Sequence, residues 1–265
     1  MVAAIESIPV ENPTPKLSLS HEELELLMKL LKDNEQEELA DKYMEELKEL
    51  GYTEPIKNLF MAFRDFKNLQ AIKKTFGVQV RQFNLFPDIE LFEPTEKLKQ
   101  QLEEGIAYAP ITEKERSESL IYPILNNFKL MSLGDFDLYS GRQLRVEKDI
   151  RLRGECDFLY AFSDVRDYVE CPIFATIEAK ETMIRQGTAQ CAAQMIGIKA
   201  LNEQEETPLE VVYGCVTTGY DWRFMKLEKG ELSIDTQIYS TKSEMSSVLG
   251  IWKAIVEGYS VVKTE

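Results

Sequence analysis

Two side chains with opposite charges close an apolar stretch near the middle of the chain. Glu178 and Lys180 follow the apolar run 173–177 and are separated by one residue. Because a strand projects successive side chains to opposite faces, the two share one face of a predicted strand. A carboxylate and an ammonium there are costly to desolvate unless they face a cavity, a metal ion or a partner. The spacing alone is a weak signal, since residues 46–48 repeat it on a predicted helix surface.

A further carboxylate lies on the preceding predicted strand. Asp157 belongs to the apolar stretch 156–162, about twenty residues upstream of Glu178, a distance that suits antiparallel neighbours joined by a polar loop. We therefore expect Asp157 to lie beside Glu178. Glu155 shares a face with Asp157 and could join the site, although a salt bridge at the strand edge is the favoured role.

A predicted helix over residues 113–131 offers one more acid. Thr112 and Glu115 form a capping box at its start, and the helix has a core face of apolar residues at 120, 121, 124, 125 and 128. At roughly 100° per residue, Glu118 falls about 90° from the centre of that face, whereas Glu115 falls nearly opposite it. The Glu118 side chain can therefore point along the sheet; the alternative is that it is an ordinary solvent-exposed residue.

Histidine and cysteine usage excludes several kinds of site. The chain has one histidine, His21, and no two of its four cysteines stand closer than Cys156 and Cys171. A His-rich metal centre, a zinc knuckle and a CxxC redox pair are therefore excluded. Any chemistry should rest on carboxylates, lysine and a divalent metal ion.

The net charge of −15 at first argues against nucleic acid, because phosphate binding depends on Lys and Arg. Residues 1–50, however, hold 13 acidic and 5 basic side chains, so much of the acidity lies at the N-terminus. A basic run precedes the candidate strands. It is equally well explained as a solvated strand face or as a phosphate-tracking surface, and comprises Lys129, Arg142, Arg145, Lys148, Arg151 and Arg153.

The pattern of apolar residues divides the chain into three parts. Residues 1–17 predict an irregular arm, 18–77 an acidic helical region whose last helix covers 56–76, and 78–265 an α/β domain. Predicted strands cover 144–153, 156–162, 173–179, 209–217 and 222–227, and predicted helices cover 95–104, 113–131, 188–201 and 242–262. With no signal-peptide pattern and no apolar run of membrane-spanning length, we expect a cytoplasmic protein without membrane association.

These residues, in this order, resemble the PD-(D/E)XK nuclease superfamily, which includes many restriction endonucleases and repair nucleases. The match joins the Glu118 helix, Asp157 in 154–158 (Gly-Glu-Cys-Asp-Phe) and 178–180 (Glu-Ala-Lys), and spans roughly residues 85–260. The sequence around 117–125, 178–180 and 216–219 looks like a group of uncharacterised bacterial members. One departure is that no proline precedes Asp157.

The resemblance implies a restriction-endonuclease-like mixed central sheet flanked by helices, and Mg²⁺-dependent hydrolysis of nucleic acid, with DNA as the expected substrate. Mn²⁺ is expected to substitute. Asp157, Glu178 and the Ala179 carbonyl would hold the ion. Lys180 would orient or help deprotonate the water, and Glu118 would serve a second metal ion or hold a metal-bound water.

The resemblance also suggests that Gln190, on the helix after the motif, lines the site; an ordinary polar helix face is the equal alternative. A second kind of function stays open, in which a non-catalytic protein of this fold binds nucleic acid or a protein partner through the acidic helices of 18–77. The sequence leaves open DNA versus RNA, endonuclease versus exonuclease activity, and the oligomeric state, for which a dimer is one option.

Overall fold

The computed structural model describes residues 61–132, 135–146, 150–163 and 167–260. The chain divides into two compact units, Met1–Leu59 and Phe60–Glu265. The first unit lies outside the described residues, and with it the predicted arm and the acidic helices up to residue 60. The second unit contains the sheet, and the residues 61–77, predicted as the end of the helical region, contribute Phe63, Phe66 and Ile72 to its core.

The helix expected over 56–76 is wrong for its described first part. Met61–Ala62 is a short strand (β1) and Phe63–Asp65 a 3₁₀ turn, and only Leu69–Phe76 is helical (α1). The Asn68 side chain caps α1 by accepting a hydrogen bond from Ala71 N at 2.9 Å. Gly77, with φ of 69°, ends it in the left-handed conformation that glycine adopts without strain.

Eight further strands follow β1 in the described ranges: β2 Gln79–Phe83, β3 Asp137–Val146, β4 Leu152–Ala161, β5 Ile173–Ala179, β6 Val211–Thr217, β7 Asp221–Glu228, β8 Glu231–Asp235 and β9 Tyr239–Ser240. The nine strands form one mixed sheet in the order β1-β4-β5-β6-β7-β8-β2, with β3 also paired to β4 and β9 to β7. The pairs β1–β4, β5–β6 and β2–β8 are parallel, and the others are antiparallel. The bounds predicted for β5 are confirmed, whereas the strand predicted over 144–153 is wrong because it joins the end of β3 to the start of β4.

Helices cover both faces of the sheet. Their bounds are α2 Glu96–Tyr108, α3 Glu113–Arg116, a π-helical turn Ser117–Ile121, α4 Tyr122–Met131, α5 Ile184–Gln204 and α6 Met245–Ser260. One hydrophobic core lies beneath α5 and α1, and the other beneath α2, α4 and α6. The chain is therefore a mixed α/β protein with a central sheet between helices. None of the helices in the described ranges is long and apolar enough to span a bilayer.

Helix α5 approaches the sheet closely at Gly187. A Cβ atom at this position would lie 2.7 Å from Val216 Cγ1 and 3.0 Å from Lys180 Cγ. Neither atom is the far end of a flexible side chain, so the helix or the strands would have to move. The absence of a side chain at Gly187 therefore sets the distance between α5 and the ends of β5 and β6.

We expect Gly187→Ala to lower the free energy of unfolding by about 1–3 kcal/mol, because overpacking forces backbone shifts. Gly258→Ala is the matched control. It lies exposed in α6 with nothing within 4 Å of its Cβ position, and should raise the free energy of unfolding by about 0.5–1 kcal/mol. Urea unfolding of both variants measures the difference. Equal stabilisation by the two changes would show that α5 has room at Gly187.

Candidate functional site

The predicted site lies where β4 and β5 part. Their ladder runs from the Ala161–Ile173 pair to the Phe158–Ile177 pair and goes no further. At the next position the hydrogen-bond acceptor is a side chain rather than a backbone carbonyl, because Asp157 Oδ2 accepts a hydrogen bond from Ala179 N at 2.7 Å. Since β1 pairs only with residues 152–153 of β4, the edge 154–157 has no strand partner on this side among the described residues.

Glu178 and Lys180 lie against each other on the face toward α5, as strand alternation predicts. Lys180 Nζ donates to Glu178 Oε1 and lies 3.8 Å from Glu113 Oε2 at the start of α3. Gln194 Nε2 on α5 donates to Glu178 Oε2 at 2.6 Å. Only 1% of the Glu178 side chain is exposed, so its charge depends on these two donors.

Gln194 also closes the free edge of β4. Its Nε2 lies 3.4 Å from the Glu155 carbonyl oxygen, and its Oε1 accepts a hydrogen bond from Thr176 Oγ1 at 2.9 Å. The fully buried amide therefore has partners for both of its polar atoms. It joins the two diverging strands through a side chain where their backbones no longer pair.

Burial raises the pKa of both carboxyl groups. The pKa of Glu178 rises to about 7, chiefly through burial and then through repulsion from Asp157. Burial raises the pKa of Asp157 to about 6, against the hydrogen bond from Ala179 and the attraction of Lys180. For Lys180, burial opposes the charged form, but Glu178, Glu113 and Asp157 outweigh it and raise its pKa. Two acids and one firmly charged base thus share the site.

These shifts predict how the stability of the metal-free protein depends on pH. The folded-state pKa values lie above the ordinary values of 3.8 for Asp157 and 4.5 for Glu178, so the folded protein holds more protons between those values and about 6 to 7. The contribution of these groups is therefore fully present at low pH and is lost as the pH rises through that window.

We expect Glu178→Gln to gain stability relative to the wild type as the pH is raised from 5 to 8, because the amide has no charge to bury. Urea unfolding in EDTA at several pH values measures this difference. Glu103→Gln, which removes an exposed carboxylate on α2, is the control for the loss of one acidic side chain. A Glu178→Gln protein that follows the control at every pH would contradict the shift.

A cavity of about 720 Å³ opens beside Asp157. It lies between the start of helix α3 and the strands β3 and β4. Its lining residues are Glu113, Lys114, Ser117, Glu118, Tyr122, Ser140, Gly141, Glu155, Asp157 and Phe158. Four of these side chains are carboxylic acids and one is a lysine, so the cavity is acidic.

The structure brings Asp157, Glu178 and Lys180 together but leaves Glu118 apart. Glu118 lines the cavity, yet its side chain is 68% exposed and its nearest ion-pair partner is Lys114 at 4.0 Å. Glu113 is the helix carboxylate beside Lys180 instead. Glu155 lines the cavity and accepts a hydrogen bond from the neutral Gln143 side chain at 3.3 Å.

On α5 the residue in contact with the site is Gln194, whereas the half-buried Gln190 makes no hydrogen bond to the carboxylates. The two lie one turn apart on the same face, so spacing does not choose between them. Of the basic run, Lys129 pairs with Asp137 at 3.1 Å and Arg142 lies 5.7 Å from the Tyr139 ring centre. These two cations are engaged within the protein, and Lys148 lies outside the described residues.

A π-helical turn changes the phase of this helix between Glu113 and its apolar core face. Pro123 has no N–H to donate to the Ser119 carbonyl, and Tyr122 N bonds to Ser117 O, five residues back. The turn takes up about one extra residue, which rotates the later residues of the helix by roughly 100° relative to a regular helix. Glu113 and Tyr122 therefore line the same cavity, and Pro123 was the signal in the sequence.

Arg116 fixes the start of this helix to the strand that carries the motif. Its Nε donates to the Pro110 carbonyl at 3.2 Å, and its guanidinium donates to the Glu181 carbonyl, one residue after Lys180. The guanidinium also lies 5.3 Å from the Tyr220 ring centre. These contacts hold Glu113 near Lys180.

The donor set fits Mg²⁺ better than a transition metal. Among the described residues, no three His, Cys, Asp or Glu side chains are grouped to hold a metal ion. Asp157 and Glu178, however, offer hard carboxylate oxygens, and Ala179, the last residue of β5, is hydrogen-bonded through its N–H to Asp157 and offers its carbonyl oxygen. Mg²⁺ is commonly held by one or two carboxylates and keeps several waters, so it does not require a larger side-chain group.

In comparisons with known proteins, the sequence matches no protein-family model and no curated protein.

Proposed function

We propose that this chain is a Mg²⁺-dependent nuclease of the PD-(D/E)XK type that hydrolyses phosphodiester bonds of nucleic acid, with DNA as the first substrate to test. The observation that carries the proposal is the convergence of Asp157, Glu178 and Lys180 where β4 and β5 part, beside an open cavity. Buried acids with raised pKa values next to a charged base favour a functional site. The mixed sheet between helices supports a restriction-endonuclease-like fold.

Each residue has a role that its surroundings support. Asp157, Glu178 and the Ala179 carbonyl would hold the ion, which when bound activates water and neutralises charge on the phosphate. Lys180 would place its charge beside the phosphate and orient the attacking water. Its present partners, Glu178 and Glu113, keep it protonated and directed into the site.

The carboxylates on the helix have a secondary role in this proposal. Glu113 would hold Lys180 in position, since their charged atoms lie 3.8 Å apart. Glu118, exposed in the cavity wall, would bind a water of the ion or a second ion once substrate has entered. Gln194 would keep Glu178 oriented through its 2.6 Å hydrogen bond.

The test is a cleavage assay with the full chain on supercoiled plasmid, linear duplex, single-stranded DNA and RNA. We expect cleavage with Mg²⁺ or Mn²⁺ and none in EDTA. Asp221→Asn, which changes an exposed carboxylate on β7, should cleave like the wild type. Failure to cleave any substrate, together with no binding of either ion by calorimetry, would favour the alternative. In that case the chain would be a non-catalytic protein of this fold that binds nucleic acid or a protein through the acidic helices of 18–77.

A further inference from the structure

The cavity beside Asp157 has the dimensions of a binding site for one nucleotide unit. Its volume is about 720 Å³, and small-molecule pockets span roughly 300–1,000 Å³. The lining includes the predicted metal ligand Asp157, so an occupant would sit next to the reacting phosphate. On the β3 side the cavity is lined by the exposed residues Ser140 and Gly141.

One wall of the cavity is an aromatic ring with a free face. Tyr122 is 43% exposed and makes no hydrogen bond through its side chain among the described residues. Stacking a water-exposed aromatic ring on a flat partner is favourable. The π-helical turn before Tyr122 directs it toward the cavity, whereas a regular helix would place it nearly opposite Glu113.

The charges of the side chains that line the cavity favour the base of a nucleotide over its phosphate as the occupant. Glu113, Glu118 and Glu155 line it with Asp157, and Lys114 is the one cationic side chain in that lining. A phosphate would be repelled by these carboxylates in the absence of metal ions. The exocyclic amino groups of adenine, cytosine and guanine, in contrast, can donate hydrogen bonds to carboxylate oxygens. Thymine offers no such group.

We propose that this cavity takes an unpaired, amine-bearing nucleobase next to the scissile phosphate, stacked on Tyr122. The proposal rests on the proposed function and names its substrate class. The base must leave its stack to enter the cavity, at a cost that is lowest in an already unpaired strand. The preferred substrates are therefore single strands, flaps and frayed ends rather than intact duplex.

The experiment measures the fluorescence of 2-aminopurine in a short single strand and in a blunt duplex, with the full chain and Ca²⁺ in place of Mg²⁺. Stacking should quench the single-stranded probe more than the duplex. Tyr122→Ala should weaken single-strand binding by about 5-fold to 150-fold, the range for losing one stacked base. Tyr122→Phe should bind like the wild type, and so should Tyr168→Ala, which changes an exposed tyrosine outside the cavity lining. Oligo-dC should compete better than oligo-dT.

The outcomes separate this inference from the nuclease proposal. Tyr122-dependent quenching without any cleavage supports the nucleobase site and contradicts the nuclease proposal. If the wild type and Tyr122→Ala cleave duplex at equal rates and neither quenches the probe, the nucleobase site is contradicted and the nuclease proposal is supported. Equal competition by oligo-dC and oligo-dT overturns the preference for amine-bearing bases. Neither cleavage nor quenching overturns both proposals.

Discussion

A Lys180→Ala protein is expected to lose cleavage by about 100-fold to 1,000-fold, the effect of removing one preorganised group that stabilises a transition state. Both carboxylates remain, so Mg²⁺ or Mn²⁺ should still bind. Binding should in fact tighten, because a positive neighbour that now contacts Glu178 would be gone. Calorimetry at pH 8 is the suitable measurement, since Glu178 without its lysine holds its proton more firmly and the proton competes with the ion.

Two controls sharpen the Lys180 result. Lys242→Ala removes an exposed lysine after β9 and should leave cleavage unchanged. Lys180→Arg keeps the charge but not the shape of the ammonium, and should recover part of the rate. Wild-type cleavage by Lys180→Ala would remove Lys180 from the mechanism while leaving the nuclease proposal in place.

Asp157→Asn is expected to lose both metal binding and cleavage, the latter by about 1,000-fold or more, because the ion contributes several kcal/mol. The amide oxygen can still accept the hydrogen bond from Ala179 N, so the parting of β4 and β5 should be retained. Its stability in EDTA at pH 8 should rise, since a buried acid with a raised pKa is replaced by a neutral group.

The combination of lower activity and higher stability is what distinguishes a functional acid from a structural one. Asp221→Asn is again the control and should change neither property. A large loss of stability in Asp157→Asn would indicate that the charge itself holds the two strands in place, and the cleavage result would then carry no information about metal binding.

Local patterns were sufficient for the part of the site that lies on β5. Alternation along a strand is a property of neighbouring residues, so the bounds of β5 and the shared face of Glu178 and Lys180 could be predicted from the sequence. The same reasoning failed at 144–153. Apolar residues at 144, 146, 150 and 152 keep the same alternation on both sides of the chain reversal between β3 and β4, with only Lys148 breaking it, so periodicity does not reveal the turn.

The contributions of Glu113 and Gln194 depend on distances that no single segment encodes. Gln194 reaches Glu178 because α5 packs closely at Gly187, and a residue one turn away on the same face does not. Glu113 reaches Lys180 because Arg116 ties its helix to the Glu181 carbonyl. Both results arise from tertiary packing, which composition and spacing leave open.

The π-helical turn takes up one extra residue in the segment Ser117–Ile121 and thereby sets the phase of the helix on either side of it. Deleting one residue together with the turn would leave Glu113 and Tyr122 eight positions apart in a regular helix, or roughly 80° around its axis, and so still on one side. Closing the turn to regular helix at constant length would instead place them roughly 180° apart. In related sequences, a one-residue gap within these five positions should therefore preserve the cavity wall, whereas a regular helix without a gap should not.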